Sequence, residues 1–312
     1  MERRTIRIGT RASDLARWQA SHVRSSLEAR FPNHRFEQVL ISTTGDRLRE
    51  APLPTFGGVG VFTKEIESAL LGDEIDLAVH SLKDLPTTRA EGLEIGAILE
   101  REDPRDAFLS RSVRSFSELP QGARVATSSL RRQAQLLHAR PDLEIVAVRG
   151  NVPTRVRKLD EGQFDGIILA CAGLVRLGLS ARITETFGTD FMLPAPGQGA
   201  IAVETRKGDP FIGEIVRAIH DEATARCVSS ERAVLRTLRG GCHVPVGALG
   251  TISEGSLTLD ALVASPDGRR YVRRSITGSA EQAESLGVRL GEELIEAGAR
   301  TIIEDLRRAE ER

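Results

Sequence analysis

The stretch Thr63–Ser81, TKEIESALLGDEIDLAVHS, decides the fold class. Its first part, TKEIESALLGD, has the apolar spacing of a helix and follows the glycine-rich segment GGVG. Its second part, IDLAVHS (residues 75–81), predicts a buried strand. A helix that runs directly into a buried strand indicates βαβ alternation, and therefore an α/β protein with a mostly parallel sheet and helices on both of its faces.

The same alternation recurs on both sides of this stretch. TIRIG (5–9) and FEQVLIST (36–43) predict strands, and Ser13 is a predicted N-cap for the helix between them. The pattern restarts at the predicted strand ARVAT (123–127). It continues through helix SLRRQAQLLHA, strand LEIVAVRG, helix PTRVRKLDEG, strand DGIILA and helix AGLVRLGL. Two doubly wound α/β lobes are therefore predicted.

Two interruptions of the strand–helix alternation, and a change in the pattern of predicted elements after them, give the predicted domain boundaries. The breaks are EREDPRDAF (100–108) and LPAPGQGAIAVE (193–204), and two such crossings predict a hinged cleft between two lobes. After about Gly213 come a helix, short strands and the hairpin turn SPDG, which predict a small α+β third domain. We expect lobe 1 to comprise residues 1–99 and 198–217, lobe 2 residues 100–197, and the C-terminal domain residues 218–312.

The composition limits the function classes. With 40% hydrophobic and 28% charged residues, the chain is typical of a globular protein, and its net charge of −1 provides no global basic field for nucleic acid. Only four of the 43 basic residues are lysines. Arginine binds carboxylates and phosphates with a two-pronged fork, although codon bias is the simpler explanation for most of these arginines.

The sequence carries no sign of export, of a membrane span or of a metal site. Its three cysteines have no disulfide or zinc spacing, and the start MERRTIRIGT lacks an apolar signal segment. The longest apolar stretch, GIILACAGLV (166–175), is far shorter than the ~20 residues that a membrane span needs. We therefore expect a cytoplasmic protein without bound metal, and also a monomer, since no coiled coil or large apolar helix face demands a partner.

Basic and hydroxyl-bearing residues follow five of the predicted strands. In open α/β sheets, ligands bind beyond the carboxyl ends of the strands. The segment ATSSLRRQAQ (126–135) adds a helix N-terminus, which favours anions, although a capped helix with a solvated basic face explains it about as well. Repetition at five strand ends favours a ligand with several carboxylates or phosphates.

Two residues depart from this basic pattern. Asp84 in HSLKDLP (80–86) either forms a salt bridge with a neighbour such as Lys83 or stabilises a cation that develops during a reaction, and the local sequence leaves both open. Cys242 in RGGCHVP (239–245) follows two glycines that leave its thiol accessible, and it is either an idle surface thiol or a reactive one. Cys171 and Cys227 are predicted core residues.

Eight segments, in order, resemble one family. They are IGTRASDLARWQA, STTGDR, AVHSLKDLPT, REDPRDAF, TSSLRRQAQL, RGNVPTR, LPAPGQGA and ERAVLRTLRGGCHVPVGA. Between about Ile8 and Ala248 the chain is similar to the porphobilinogen deaminase (hydroxymethylbilane synthase) family.

This resemblance implies a fold and a reaction. The fold is two lobes like those of type II periplasmic binding proteins, with a small third domain. The reaction joins four porphobilinogen units head to tail into the linear tetrapyrrole hydroxymethylbilane, with release of ammonia, as a step of tetrapyrrole biosynthesis. The growing chain is primed on a dipyrromethane cofactor, which the resemblance places in thioether linkage to Cys242.

The resemblance also implies roles for particular residues. Asp84 is the implied catalytic acid/base, which holds pyrrole N–H groups and stabilises a cationic azafulvene, while Lys83 points elsewhere because adjacent residues of an extended segment face opposite ways. The implied cofactor-binding residues are Ser81, Lys83, Asp84, Thr127, Ser129, Arg131, Arg132 and Cys242. The implied substrate-binding residues are Arg11, Ser13, Gln19, Arg149, Arg155, Arg176 and Gln198.

Three positions depart from the family pattern. Val59 stands where a lysine is usual, so the cofactor contact of that lysine is absent here. Ala126 replaces a usual glycine, and Pro153 enters a predicted first helical turn, where its missing N–H has no intrahelical partner in any case.

Two other function classes remain open from the residues alone. The same two-lobed architecture also occurs in non-catalytic anion-binding proteins. Cys242 is compatible with a thiol enzyme as well, although the sequence does not indicate which base would activate the thiol. A binding protein needs no thiol at this position, so Cys242 separates the first alternative from the transferase.

Overall fold

The computed structural model describes residues 4–44, 63–238 and 244–310. The chain divides into two compact units, one of Met1–Glu102 with Gly199–Ala225 and the other of Asp103–Gln198 with Arg226–Arg312. In chain order, the strands within the described ranges are β1 (Thr5–Arg11), β2 (Arg35–Ile41), β3 (Leu77–Ser81), β4 (Leu93–Ile98), β5 (Asp106–Ser110), β6 (Arg124–Ala126), β7 (Glu144–Val146), β8 (Gly166–Ala170), β9 (Glu185–Thr186), β10 (Ile201–Arg206), β11 (Val246–Ser253), β12 (Ser256–Ala264) and β13 (Tyr271–Ser279). The helices there are α1 (Asp14–Arg30), α2 (Lys64–Leu71), α3 (Leu130–Ala139), α4 (Val152–Asp160), α5 (Cys171–Arg176), α6 (Pro210–Arg217), α7 (Glu222–Thr237), α8 (Ala283–Leu294) and α9 (Arg300–Glu310).

The first unit contains a five-stranded sheet in the order β2-β1-β3-β10-β4. Alternate residues of β3 enter different cores, as the two-residue period of a strand requires. Leu77 and Val79 pack with α1 and α6, whereas Ala78 packs with α2. Helices therefore cover both faces of this sheet.

The second unit repeats this arrangement in a sheet of order β7-β6-β8-β5-β9. Along β5, Ala107 and Leu109 pack with α4 and α5, whereas Phe108 lies in a core that includes Leu136 of α3. The unit also holds the antiparallel three-stranded sheet β11-β12-β13, whose core includes residues of α7, α8 and α9.

These three sheets confirm the predicted fold class of two doubly wound sheets and a small α+β domain. The expectation that the large sheets are mostly parallel is confirmed, since four of the five strands of each sheet in the described ranges run in one direction. The exceptions are β10, which is antiparallel to β3 and β4, and β5, which is antiparallel to β8 and β9. Both strands lie in segments that the sequence indicated as breaks in the alternation.

Local predictions for two of the helix starts are confirmed. Ser13 is the N-cap of α1, and its Oγ accepts a hydrogen bond from Ala16 N at 3.4 Å. Pro153 lies in the first turn of α4, where Asn151 Oδ1 accepts from Thr154 N at 3.0 Å. The proline therefore leaves this helix intact, as expected.

Gly268, in the turn between β12 and β13, provides a test of the packing. Its φ is +72°, and a Cβ there would lie 2.4 Å from His138 N and 2.7 Å from Ala134 O of α3. We expect Gly268→Ala to lower the free energy of unfolding by about 3 kcal/mol, since it adds a backbone clash to left-handed strain. Gly122, with φ of +74° and no atom within 4 Å of the position that a Cβ would take, is the matched control, and Gly122→Ala should cost about 1 kcal/mol. Urea unfolding of both variants measures the difference, and equal losses would contradict the packing argument.

Candidate functional site

The parallel strands of each large sheet bring the predicted ligand-binding residues to one edge. In the first sheet, β1 and β3 are parallel neighbours, so Arg11 and Ser81 end their strands at the same edge. In the second sheet, β6, β7 and β8 run parallel and also share an edge for their carboxyl ends. Because β5 is antiparallel to β8, its first residue, Asp106, pairs with Ala170 at that same edge.

Two predicted site residues meet at the edge of the first sheet. Gln19 of α1 is buried, and its Nε2 donates to Ser81 Oγ at 2.8 Å. Ser13 lies at the start of the same helix, where its hydroxyl caps Ala16 N. Arg11 is half-buried. The structure therefore fixes Ser81 through Gln19 and gives Ser13 a capping role.

The residues after β3 form a three-residue 3-10 turn, Leu82–Asp84. Leu82 is fully buried, and its N–H donates to Ala200 O at 3.0 Å, whereas Lys83 and Asp84 are exposed. The expectation that these two charged residues face opposite ways on an extended segment was wrong. Successive residues of a 3-10 helix are about 120° apart, since three make one turn.

Buried Glu204 contacts the last part of β3 before this turn. His80 Nε2 lies 3.2 Å from Glu204 Oε2, and Arg89 Nη1 lies 3.6 Å from Glu204 Oε1. His80 pairs with Ala202 of β10, so Glu204 is its diagonal neighbour, which is within reach of a long side chain. The position of the exposed turn is therefore determined by a buried contact between two strands.

Hydroxyl groups and the N-terminus of α3 lie at the edge of the second sheet. Thr127 Oγ1 accepts from Ser129 N at 3.1 Å. Ser128 Oγ donates to Val148 O at 2.7 Å and accepts from Val148 N at 3.0 Å. Ser129 holds the N-cap position of α3 without a side-chain capping bond. The positive end of this helix therefore favours an anion at its first turn.

The first turn of α3 also carries two arginines that meet around Asp106. Arg131 Nη1 lies 2.8 Å from Asp106 Oδ2 and donates to Leu193 O at 2.7 Å. Arg132 donates to Asp106 Oδ1 from Nη2 at 2.7 Å and from Nε at 3.1 Å, and its Nη1 donates to Ile168 O at 3.1 Å. Their exposed fractions are 5%, 7% and 0% for Arg131, Arg132 and Asp106.

Gln198 completes this cluster. Its side chain is buried, and its Nε2 donates to Asp106 Oδ1 at 2.8 Å and to Pro104 O at 2.7 Å. Three predicted site residues, Arg131, Arg132 and Gln198, are therefore brought together by one carboxylate. We name these four residues the Asp106 cluster.

The charges of the Asp106 cluster do not balance. Burial alone would raise the pKa of Asp106, but the two guanidiniums outweigh it and hold the pKa of this carboxyl well below its usual range. Burial lowers the pKa of Arg131, and the carboxylate of Asp106 opposes this effect. One carboxylate thus faces two guanidiniums, and Arg131 Nε is buried without a hydrogen-bond acceptor in the described part of the chain.

This imbalance suits the cofactor that the resemblance implies. A dipyrromethane made from porphobilinogen carries several carboxylates, and a carboxylate is the group that an unmatched guanidinium binds most specifically. The Asp106 cluster has one positive charge in excess, and its donor Arg131 Nε has no acceptor among the residues that the structure describes. The residues present therefore fit an acidic ligand.

The remaining predicted arginines lie on or before two helices of the second unit. Arg155 Nε donates to Gly150 O at 2.8 Å, and Lys158 Nζ donates to Arg149 O at 3.3 Å. Arg176 is buried at the end of α5, whereas Arg149 and Arg155 are half-buried. All three follow strands whose carboxyl ends share one edge.

Asp106 is a residue of the candidate site that was not predicted from the sequence. The segment REDPRDAF interrupts the alternation, so its acid is not evident from the sequence as the first residue of a strand. A signal was present, because two consecutive arginines in the first turn of a core helix need a buried counter-charge, and RDAF offers an acid next to apolar residues.

Cys242 and Val59 lie outside the described residues. The other two cysteines are buried, Cys171 at the start of α5 and Cys227 within α7. Burial raises the pKa of the Cys171 thiol to about 11, so this thiol stays protonated at neutral pH. Both cysteines thus have the core positions that the sequence predicted.

Neither a metal cluster nor a membrane span is found in the described part of the chain. Among residues 4–44, 63–238 and 244–310, no group of three or more His, Cys, Asp or Glu side chains is arranged to hold a metal ion. Within the same ranges, no helix has the length and apolar character of a membrane span.

Comparison with known proteins identifies the family. Residues 6–214 match the family model for the porphobilinogen deaminase, dipyromethane cofactor binding domain, and residues 225–296 match the porphobilinogen deaminase C-terminal domain. A porphobilinogen deaminase from Pelobacter propionicus is 53% identical over 306 residues, and the match covers 98% of each chain. One from Trichlorobacter lovleyi is 52% identical over 306 residues, again covering 98% of each chain.

Similarity to solved structures is more distant. A periplasmic substrate-binding protein of an ABC transporter from Coxiella burnetii covers 73% of this chain with 96% of its own, at 16% identity and a TM-score of 0.44. Full-length similarity to the relatives above is decisive, and the chain belongs to the porphobilinogen deaminase family.

Proposed function

We propose that this enzyme joins four porphobilinogen molecules into hydroxymethylbilane, with Asp84 as its catalytic acid/base and Cys242 as the anchor of its dipyrromethane. In each step the C–N bond of a porphobilinogen aminomethyl group breaks and ammonia leaves. A C–C bond forms to the free α-carbon of the preceding ring, and that carbon loses its proton. After four units have been added, water cleaves the bond between the first unit and its primer and supplies the hydroxyl group of hydroxymethylbilane. The observation that carries the proposal is the Asp106 cluster, where buried guanidiniums outnumber the carboxylate.

The cationic residues at the strand ends bind the acidic side groups of the pyrrole chain. Each porphobilinogen carries an acetate and a propionate, so a growing chain is a polyanion. We assign carboxylates of the cofactor to Lys83, Arg131 and Arg132, and hydrogen bonds to the cofactor to Ser81, Thr127 and Ser129. Carboxylates and polar groups of the incoming units are assigned to Arg11, Ser13, Gln19, Arg149, Arg155, Arg176 and Gln198.

Gln19, Gln198 and Ser13 act partly through other residues. Gln19 donates to Ser81, Gln198 donates to Asp106, and Ser13 caps α1. Each of these bonds holds a helix start or a site residue in place. Their contribution to binding is thus in large part the positioning of neighbours.

Asp84 stabilises the positive charge that develops on porphobilinogen as ammonia leaves. Its carboxylate is exposed on a turn whose first residue, Leu82, is buried, so the charged group is presented by a rigid support. A preorganised anion next to a developing cation lowers the barrier without reorganisation during the reaction. The same carboxylate then accepts the α-proton.

Dipyrromethane, when bound, supplies the free α-carbon to which the first substrate unit is joined. In this proposal, residues at the start of α3 hold its carboxylates, and Cys242, which lies between α7 and β11 in the sequence, is its anchor. A thioether requires a reduced thiol, so we place the enzyme in a reducing compartment, the cytoplasm. We also propose that the enzyme is a monomer. The proposed domain boundaries are residues 1–99 and 198–217 for lobe 1, residues 100–197 for lobe 2 and residues 218–312 for the C-terminal domain.

An intact mass of the purified protein tests the cofactor directly. We expect a mass excess of two linked pyrroles, and peptide mapping should locate it on the peptide that contains Cys242. Incubation with porphobilinogen should release one ammonia for each unit consumed. A protein that gains no pyrrole mass and releases no ammonia when supplied with porphobilinogen would instead be an anion-binding protein.

A further inference from the structure

Asp106 contacts its three partners through both carboxylate oxygens, with hydrogen bonds at Oδ1 and an ion pair at Oδ2. Oδ1 accepts from Arg132 at 2.7 Å and from Gln198 at 2.8 Å, while Oδ2 faces Arg131 Nη1 at 2.8 Å. Because the carboxylate is fully buried and begins a strand, it has little freedom to follow its partners. The two guanidiniums are therefore oriented by Asp106.

The same carboxylate sets the charge of the Asp106 cluster. Two guanidiniums without a counter-charge would be costly to bury, and two carboxylates would leave no attraction for an acidic ligand. With one carboxylate, a single positive charge remains, and Arg131 Nε remains without an acceptor among the described residues.

We propose that Asp106 is a positioning residue for dipyrromethane binding, which orients Arg131 and Arg132 and leaves the pair with one positive charge for one ligand carboxylate. This inference rests on the proposed function, because it assumes that these two arginines bind the cofactor. Asp106 itself does not contact the reacting atoms. It acts through the guanidiniums, and it should affect the capture of the cofactor more than the later chemistry.

The test measures how fast cofactor-free protein, incubated with porphobilinogen, gains the mass of two linked pyrroles. We call this the loading rate. Asp106→Asn should lower it by about 10- to 100-fold, by analogy with the effect of removing a partner that orients a metal-binding side chain. Asp106→Glu keeps the charge and should recover part of the loss.

Asp76 provides a matched control. It is also buried next to arginines, with its Oδ1 2.9 Å from Arg7 Nη2, 3.5 Å from Arg206 Nη2 and 3.9 Å from Arg4 Nη2. It precedes β3, at the end of the strand opposite to Ser81. Asp76→Asn should reduce stability through the same loss of a buried counter-charge, yet load at close to the rate of the unaltered protein.

A double variant separates charge from folding. Arg132→Gln leaves Arg131 and Asp106 as a neutral pair, so its loading should be slow. Adding Asp106→Asn removes the carboxylate that neutralises Arg131 and so restores one net positive charge. The double variant should therefore load faster than Arg132→Gln alone, which no purely structural role of Asp106 predicts. It also keeps the inference testable if Asp106→Asn by itself fails to fold.

The outcomes are distinct. If unaltered protein gains no pyrrole mass, the proposed function fails. If it loads but Asp106→Asn loads equally fast, if Asp76→Asn loads as slowly as Asp106→Asn, or if the double variant is no faster than Arg132→Gln, the role of Asp106 is overturned.

Discussion

Asp84→Asn is expected to lower kcat for porphobilinogen consumption by about 1,000-fold, while the purified variant still carries two linked pyrroles. General acid–base catalysis and electrostatic stabilisation by one group each contribute factors of about 100 to 1,000 or more, and Asp84 is proposed to supply both. The amide keeps the shape of the side chain but can neither accept the α-proton nor balance a cation. Because the developing charge exists in the transition state, KM should change little.

A loss of stability should not account for the lower kcat of Asp84→Asn. Asp84 is exposed, and surface substitutions away from special features usually change stability by less than about 0.5 kcal/mol. Glu118 is the matched control, since it is also an exposed acid at the end of a three-residue 3-10 turn, Phe116–Glu118. Glu118→Gln should turn over normally. Near-normal turnover by Asp84→Asn, measured as ammonia release at saturating porphobilinogen, would remove Asp84 from its assigned role.

The fold class was predictable because it depends on local patterns. Helix periodicity, apolar strands and the Ser13 cap are read within a few residues of each other, and each of these elements is present. The two antiparallel strands, β5 and β10, were not predictable in the same way. Each starts next to a proline- or glycine-rich crossing, and the partner that fixes its direction is far away in the sequence.

The candidate site shows the same division between local and long-range information. Strand ends and the start of α3 identified Arg131 and Arg132 without knowledge of their neighbours. Asp106 could not be predicted as a site residue, because only the antiparallel direction of β5 places it at the edge where β6, β7 and β8 end. The charge balance around the arginines, on which their binding properties depend, is thus a property of sheet topology and not of local sequence.

Cys242→Ser is expected to abolish the pyrrole adduct and to reduce turnover by at least about 1,000-fold. A thiol with a pKa near 8.5 provides some thiolate at neutral pH, whereas a serine hydroxyl needs an adjacent base to become a nucleophile. Without the anchor, the primer would dissociate, and chain growth would require several free molecules to meet in order. Intact mass and ammonia release measure the two effects independently.

The other two cysteines make the assignment specific. Cys171→Ala and Cys227→Ala each remove a buried thiol and should cost about 1 kcal/mol of stability through a small cavity. Both variants should retain the adduct and most of the turnover, because the raised pKa of Cys171 and the burial of Cys227 make both thiols poor nucleophiles. An adduct that persists in Cys242→Ser and disappears from either of these variants would transfer the anchor to the core cysteine concerned. An anchor at a buried cysteine would place the cofactor among packed core side chains. That result would also contradict the binding of its carboxylates at the start of α3.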